Sequence, residues 1–236
     1  MTERSRRQAL NKEPRTEMLL GFSLLSNLVS QFTFSYLYQK HKKMLGLKLA
    51  TDPRWVNIVE SNISEILTDH AWCEQKAATN AISIIVNNSE KPELVSEMIK
   101  LAQEEMEHFE LVHELIKERG IELGRERKNS YVNELAKFMK KDGSRDQALV
   151  DRLLFSAMIE ARSCERFRVL SLNIKEPKLA KFYHDLMVSE AGHYTLFLKF
   201  AKQYGNANKV DKRWQEWLDF EATVIAKYGK EETIHG

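Results

Sequence analysis

The chain has 236 residues, 43% apolar and 30% charged, with only 9 Gly and 4 Pro. That is enough for one sizeable core, and the composition favours long helices over a sheet. Two cysteines, Cys73 and Cys164, exclude a disulfide framework and a four-cysteine zinc or iron–sulfur site, and suit a reducing cytosol; a formal net charge of +2 excludes a globally basic nucleic-acid binder, so any RNA contact is expected as a local patch.

Residues 1–43 differ from the rest. They hold eight Lys/Arg against three Asp/Glu, which leaves residues 44–236 with 28 against 31. Met18 to Gln39 carries no charged side chain, as a signal or membrane anchor would. Seven of the residues from Met18 to Tyr38 are nevertheless polar (Ser23, Ser26, Asn27, Ser30, Gln31, Thr33, Ser35), which disfavours a span. The expectation is that Met44 is the natural start, that residues 1–43 are a non-essential extension outside the fold, and that residues 44–236 form one domain.

From Thr51-Asp52-Pro53 onward the pattern is helical, Pro being tolerated in a first turn. The first long helix runs to Asn87-Asn88, from a start between Pro53 and Asn62. The second begins near Pro92 and ends at Gly120, a plausible C′ glycine. A short helix from Tyr131 to Lys141 follows Ser130 and is broken at Gly143. Arg145 to Asn173 and Pro177 to Tyr204 form two more long helices, the latter closed by Gly205. A last helix fills Val210 to Tyr228. Two short links and one long connection between the second and third long helices predict an all-α, ferritin-like four-helix bundle with an extra C-terminal helix.

Along these helices one signature occurs twice. Glu74 precedes Glu105-Met-Glu-His108, and Glu160 precedes Glu190-Ala-Gly-His193, at offsets of 86, 85 and 85 residues. Stripes spaced by three and four place each glutamate in a largely apolar face. They run Leu67, His70, Glu74, Ala81; Leu101, Glu105, His108, Val112; Ala157, Glu160, Cys164; and Leu186, Glu190, His193, Phe197. An unpaired buried carboxylate costs on the order of several kcal/mol. Four at one level need a shared counter-charge, and two divalent ions supply +4 against −4. Glu-x-x-His puts both side chains on one helix face, and carboxylate plus imidazole without thiolate suits iron or manganese. Glu74, Glu105, His108, Glu160, Glu190 and His193 are therefore the candidate metal ligands.

Neighbouring positions give weaker expectations. His70, one turn before Glu74, reads as a satisfied core histidine before a ligand. Cys164 reads as a small buried hydrophobe or a wall of the oxygen pocket. Glu104 and Glu107 point away at 100° per residue and read as solvated. Asp69 and Asp185 are candidates to orient ligand imidazoles.

At these residues the sequence resembles the tRNA hydroxylases acting on 2-methylthio-isopentenyladenosine, a ferritin-like branch. The matching words are TDPRW (51–55), ILTDHAWCEQKA (66–77), EEMEHF (104–109), IEARSCERF (159–167) and SEAGHY (189–194), within a likeness over residues 45–236. The resemblance implies that the same six residues hold two iron ions, and that O2 is used to hydroxylate the isopentenyl side chain of the adenosine next to the anticodon. It also implies a tRNA substrate, a cytoplasmic location and no stable membrane association. The chain lacks a dinucleotide glycine motif and an iron–sulfur cysteine set, so a separate reductase is expected. Phe155, Phe167, Tyr194 and Phe197 are candidates for an apolar prenyl slot. Arg162, Arg166, Arg168, Arg125, Arg127 and Lys128 are candidates for phosphate contacts. Three other readings are weighed: a ubiquinone-precursor hydroxylase, kept open by Met18–Gln39, an iron-storage or peroxide-detoxifying protein, and a non-catalytic helical interaction protein, which the paired ligand sets disfavour.

Overall fold

The termini of the helices are set by local chemistry that the sequence carries. A computed structural model describes residues 45–140, 143–231 and 233–235, and the expectation for residues 1–43 lies outside them. Seven helices occur among the described residues, with no strand: α1 Trp55–Ser61, α2 Ile63–Asn87, α3 Pro92–Glu118, α4 Ser130–Ala136, α5 Arg145–Asn173, α6 Pro177–Tyr204 and α7 Ala207–Tyr228. The first expected helix is thus two. Asn62 leaves helical geometry at φ −136°, and its side-chain amide donates to Ile58 O at 3.0 Å, competing with the backbone ladder.

Elsewhere caps fix the ends. Pro92 and Pro177 sit in first turns. Gly120, at φ 65°, ends α3 in a Schellman arrangement, with Ile121 N bonding to Ile116 O and Gly120 N to Lys117 O. Ser144 and Gln147 form a capping box at α5. Two starts differ from expectation because an asparagine caps earlier. Asn129 accepts from Val132 N, so α4 begins at Ser130, and it ends at Ala136, short of Lys141, which lies outside the described residues. Asn206 accepts from Lys209 N, so α7 begins at Ala207 instead of Val210.

The links 88–91 and 174–176 close two antiparallel hairpins, α2/α3 and α5/α6, joined by the long connection 119–144 that contains α4. Polar pairs show how the hairpins face each other. Glu93 at the start of α3 meets Lys199 and Gln203 near the end of α6, while Glu118 at its end meets Lys178. Across the other seam Arg145 donates to Asn87 O, and Arg152 to Asn80 Oδ1. All four long helices therefore alternate in direction as a ferritin-like bundle. α7 lies against α5 through Arg213–Asp151 and Arg162–Glu221, and α4 joins it through Tyr131.

One end of the bundle is filled by a cluster that includes Trp55, Val59, Leu67, Ile116, Phe167, Leu170 and Tyr183. Each large apolar side chain so buried contributes roughly 1.5–3 kcal/mol. The segment after α7 turns back into this cluster. Ile234 is fully buried, its N–H donates to Asp69 Oδ2 at 2.8 Å, and Arg166 donates to Thr233 O at 2.6 Å. No helix among the described residues is long and apolar enough to cross a membrane.

Candidate metal centre

Each long helix delivers its glutamate to the same level because its apolar stripe faces inward. Glu74, Glu105, His108, Glu160, Glu190 and His193 are all buried, as are their stripe neighbours Leu67, Ala81, Leu101, Val112, Ala157, Leu186 and Phe197. The six functional groups form two overlapping clusters. Glu74, Glu105, His108 and Glu190 make one, and Glu105, Glu160, Glu190 and His193 the other, with atoms within 4.8 Å of one another in each. Glu105 and Glu190, the first residues of the two Glu-x-x-His words, belong to both.

The donor atoms face inward. His108 Nδ1 lies 3.5 Å from Glu105 and from Glu190, and 3.8 Å from Glu74. His193 Nδ1 lies 3.0 Å from Glu105 and 3.2 Å from Glu190. Both oxygens of Glu105, Oε1 of Glu190 and Nδ1 of His108 are buried without a hydrogen-bond partner among the described residues. Orphaned acceptors gathered in this way are costly unless a cation meets them. The residues present fit a metal centre.

Electrostatics describe the same crowding of negative charge. Burial pushes Glu105 up to about 7 and raises Glu190 and Glu160, Glu160 further because the Glu190 carboxylate is beside it. At Glu74 burial is outweighed by the neighbouring His108 imidazole and by the hydrogen bond from His70, which hold the carboxyl well below the usual carboxylate range. Burial opposes charge on His108, but Glu105 and Glu74 lift it to about 11. His193 is raised in the same way, by Glu190, Glu104 and Glu105.

A cavity of about 320 Å³ reaches this cluster. Glu74, Glu160 and Glu190 form its buried end, Ala77, Val132, Phe155 and Ile159 its apolar walls, and Lys76, Arg127 and Lys128 its exposed end.

The weaker sequence expectations divide. His70 is fully buried, stacked on Tyr183, and its Nε2 donates to Glu74 Oε1 at 2.6 Å, so it orients a candidate ligand. Cys164 does not line the cavity. Its thiol donates to Met187 O at 3.4 Å, and burial lifts it to about 12. Asp69 orients no ligand imidazole, because its carboxylate holds Ile234 N and the Cys73 thiol. Asp185 is exposed and pairs with Lys181 and His184, on the outer side of α6. Of the four aromatic residues expected in a prenyl slot only Phe155 lines the cavity; Phe167 packs on His70 and Tyr183, Tyr194 faces Trp214, and Phe197 is fully buried.

The arginines of α5 are also not where the sequence put them. Arg162 and Arg166 are fully buried and unreachable for a phosphate. Arg162 Nε and Nη2 donate to Glu221 Oε1 at 2.8 and 2.6 Å. Arg166 donates to Thr233 O and Gly229 O and lies 4.1 Å over the Trp55 ring. Arg168 is half-buried, 3.4 Å from Glu165. The other three stand at the surface. Arg125 and Lys128 are exposed, while Arg127 pairs with Glu65 at 3.1 Å and reaches the cavity rim.

Two residues escaped the periodicity argument. Glu104 Oε2 lies 3.2 Å from His193 Nε2, and its Oε1 accepts from Ser189 Oγ at 2.6 Å. A signal was present: Glu104 and Ser189 each precede the glutamate of a Glu-x-x-His word, so the pseudo-twofold brings them together. His235 is buried in the cavity wall, 2.8 Å from Ser163 Oγ and 3.3 Å from Cys73 Sγ. No pattern in the sequence marks it.

Comparison with known proteins extends this geometry. A Pseudomonas putida protein named tRNA 2-(methylsulfanyl)-N(6)-isopentenyladenosine(37) hydroxylase is 38% identical over 66% of this chain and 75% of its own length. A Salmonella typhimurium protein of the same name is 27% identical over 74% of this chain and 80% of its own. A solved structure titled Protein 43 with aldehyde deformylating oxygenase activity, from Synechococcus, superposes with a TM-score of 0.75 at 32% identity, covering 80% of this chain and 95% of that one. The family model described as tRNA-(MS[2]IO[6]A)-hydroxylase (MiaE) matches residues 38–236. That match runs through all seven described helices and both Glu-x-x-His words, and the chain belongs to the MiaE family.

Proposed function

We propose that this protein is an O2-dependent monooxygenase that uses two iron ions, held by Glu74, Glu105, His108, Glu160, Glu190 and His193, to hydroxylate the isopentenyl side chain of 2-methylthio-N6-isopentenyladenosine at position 37 of tRNA. The observation that carries this reading is the pair of overlapping four-residue clusters sharing Glu105 and Glu190, reached by a cavity that Glu74, Glu160 and Glu190 line. The names of the Pseudomonas putida and Salmonella typhimurium relatives supply the substrate.

In this reading four carboxylates balance two divalent ions, and hard oxygen donors with imidazole favour iron. When bound, iron supplies the activation of O2 that an unactivated C–H bond requires. One oxygen atom enters the substrate as hydroxyl and the other leaves as water, with two electrons and two protons provided from outside. A separate reductase partner is part of the proposal. The protein's work is positional: His70 holds the Glu74 carboxylate, Glu104 holds the His193 ring, and Ala77, Val132, Phe155 and Ile159 keep water from the prenyl group.

The exposed end of the cavity favours a nucleotide over a purely lipophilic substrate. Lys128 stands there with Lys76, which pairs with Glu126, and Arg127, which pairs with Glu65, and Asn129 and Asn133 line the same cavity, a set that suits a phosphodiester and a base. A tRNA substrate also puts the reaction in the cytoplasm.

The test is nucleoside analysis of tRNA from cells with and without this gene, paired with iron-reconstituted protein, a chemical reductant and O2. Loss of the hydroxylated adenosine on deletion, and its formation in the purified reaction, are expected. Persistence of the hydroxylated nucleoside in the deletion strain, with no second copy present, overturns the assignment.

A further inference from the structure

Buried and half-buried arginines in this fold are mostly matched to carboxylates, and Arg166 to two backbone carbonyls. Arg162 has Glu221 and Glu165, Arg213 has Asp151 and Glu216, and Arg127 has Glu65. Arg152 is different. It is half-buried on α5 and lines the cavity, yet no carboxylate among the described residues pairs with it. Burial without a compensating anion pulls its pKa down.

A closed set of hydrogen bonds fixes this guanidinium in place. Arg152 Nε donates to Asn80 Oδ1 at 2.7 Å, Asn80 Nδ2 donates to Ser156 Oγ at 2.9 Å, and Ser156 Oγ donates to Arg152 O at 3.1 Å. The Phe155 ring lies 5.9 Å from the guanidinium carbon. Only Nε is engaged, so both terminal nitrogens remain as donors among the described residues. A cation held rigidly in a cavity wall, partly desolvated and without an anionic partner, has the attributes of an anion receptor.

Its place along α5 defines which part of a substrate it meets. Arg152 precedes Glu160 by eight residues, about 12 Å at the helical rise, on the way out from the carboxylate cluster. A substrate whose five-carbon substituent points at Glu160 would lie with its purine between the two and its sugar-phosphate at Arg152. The purine itself offers single ring-nitrogen acceptors, whereas a phosphate offers two oxygens in the spacing of the guanidinium fork.

We propose that Arg152 is the phosphate-recognising residue of the substrate cavity, binding through both terminal nitrogens a phosphate attached to the modified nucleoside, with Asn80 as the residue that positions it. This inference rests on the nucleotide reading of the cavity, and its test separates the two.

Equilibrium dialysis would compare 2-methylthio-N6-isopentenyladenosine, its 5′-monophosphate and an anticodon stem-loop RNA carrying the base, on iron-loaded wild type, Arg152→Gln and Arg152→Lys. Wild type is expected to bind the monophosphate about tenfold or more tighter than the nucleoside, the range of a charge-assisted hydrogen bond. Arg152→Gln is expected to abolish that ratio, and Arg152→Lys to keep part of it, since lysine retains charge but not the fork. The stem-loop should weaken in parallel; if only the monophosphate responds, the phosphate recognised is that of a free nucleotide and the RNA part of the proposal fails. Equal weakening of nucleoside and monophosphate in Arg152→Gln, or no phosphate preference in wild type, overturns the inference. A preserved phosphate preference without hydroxylation of any ligand leaves Arg152 standing and removes the proposed activity.

Discussion

The Glu104 carboxylate stands 3.2 Å from Nε2 of His193, on the ring edge opposite the nitrogen that faces Glu105 and Glu190. The imidazole beside it, opposed by partial burial and helped by Ser189, holds the Glu104 carboxyl down at about 2. A ligand histidine flanked this way by a carboxylate on its outer edge is biased towards one orientation. Glu104→Ala is expected to lower metal affinity or turnover roughly 10–100-fold. Metal titration of the purified variant checks it, and wild-type affinity would reduce Glu104 to a surface carboxylate.

Glu160 bears on metal binding more than on folding. Its carboxyl is buried against Glu190, which raises its pKa, so in metal-free protein it contributes repulsion and desolvation cost. Glu160→Ala is expected to abolish turnover and reduce bound iron below two per chain. The metal-free variant should keep its circular dichroism and melt no lower than wild type. Full activity in this variant would take Glu160 out of the site.

Arg162 is a folding residue, contrary to its reading as a phosphate contact. It and Glu221 are both fully buried, and Tyr131 donates to the same Glu221 oxygen at 3.0 Å. Glu221→Ala leaves the buried guanidinium with Glu165 as its remaining carboxylate, 3.3 Å from Nη1, and is expected to cost about 3 kcal/mol in denaturant unfolding. A loss below about 1 kcal/mol would show that water reaches Arg162.

Salt dependence should map the RNA-facing surface. Lys128 lines the cavity and Arg125, three residues before it, is exposed, and Arg125→Ala with Lys128→Ala is expected to flatten the slope of log affinity for tRNA against log salt by roughly 0.7 to 1 per lost contact. An unchanged slope would move the RNA to another face.

His235 gives the fold an acid-sensitive latch. Burial pulls it from 6.5 to about 3, so it stays neutral while an unfolded chain would protonate it. A depressed folded value means stability present above about pH 6.5 and lost as pH falls towards 3, by up to about 1.4 kcal/mol per pH unit. Melting temperature against pH is expected to fall less steeply in His235→Gln than in wild type over pH 6.5 to 4. Parallel curves would mean that the segment holding His235 leaves its slot before it titrates.

Local pattern was enough for much of this protein. The ends of α5 and α6, the Gly120 stop and the inward placement of Glu74, Glu105, His108, Glu160, Glu190 and His193 follow from spacing and caps, because a helix places residues three and four apart on one face whatever else it touches. Spacing says nothing about what covers the other faces. α7 and residues 233–235 pack on α5, turning Arg162 and Arg166 from apparent surface charges into buried ones and carrying His235 into the cavity wall. Glu104 meets His193, Asp69 meets Ile234, and Arg152 is left without a carboxylate for the same reason. These outcomes depend on contacts between residues far apart in the chain, which only the packed tertiary structure decides.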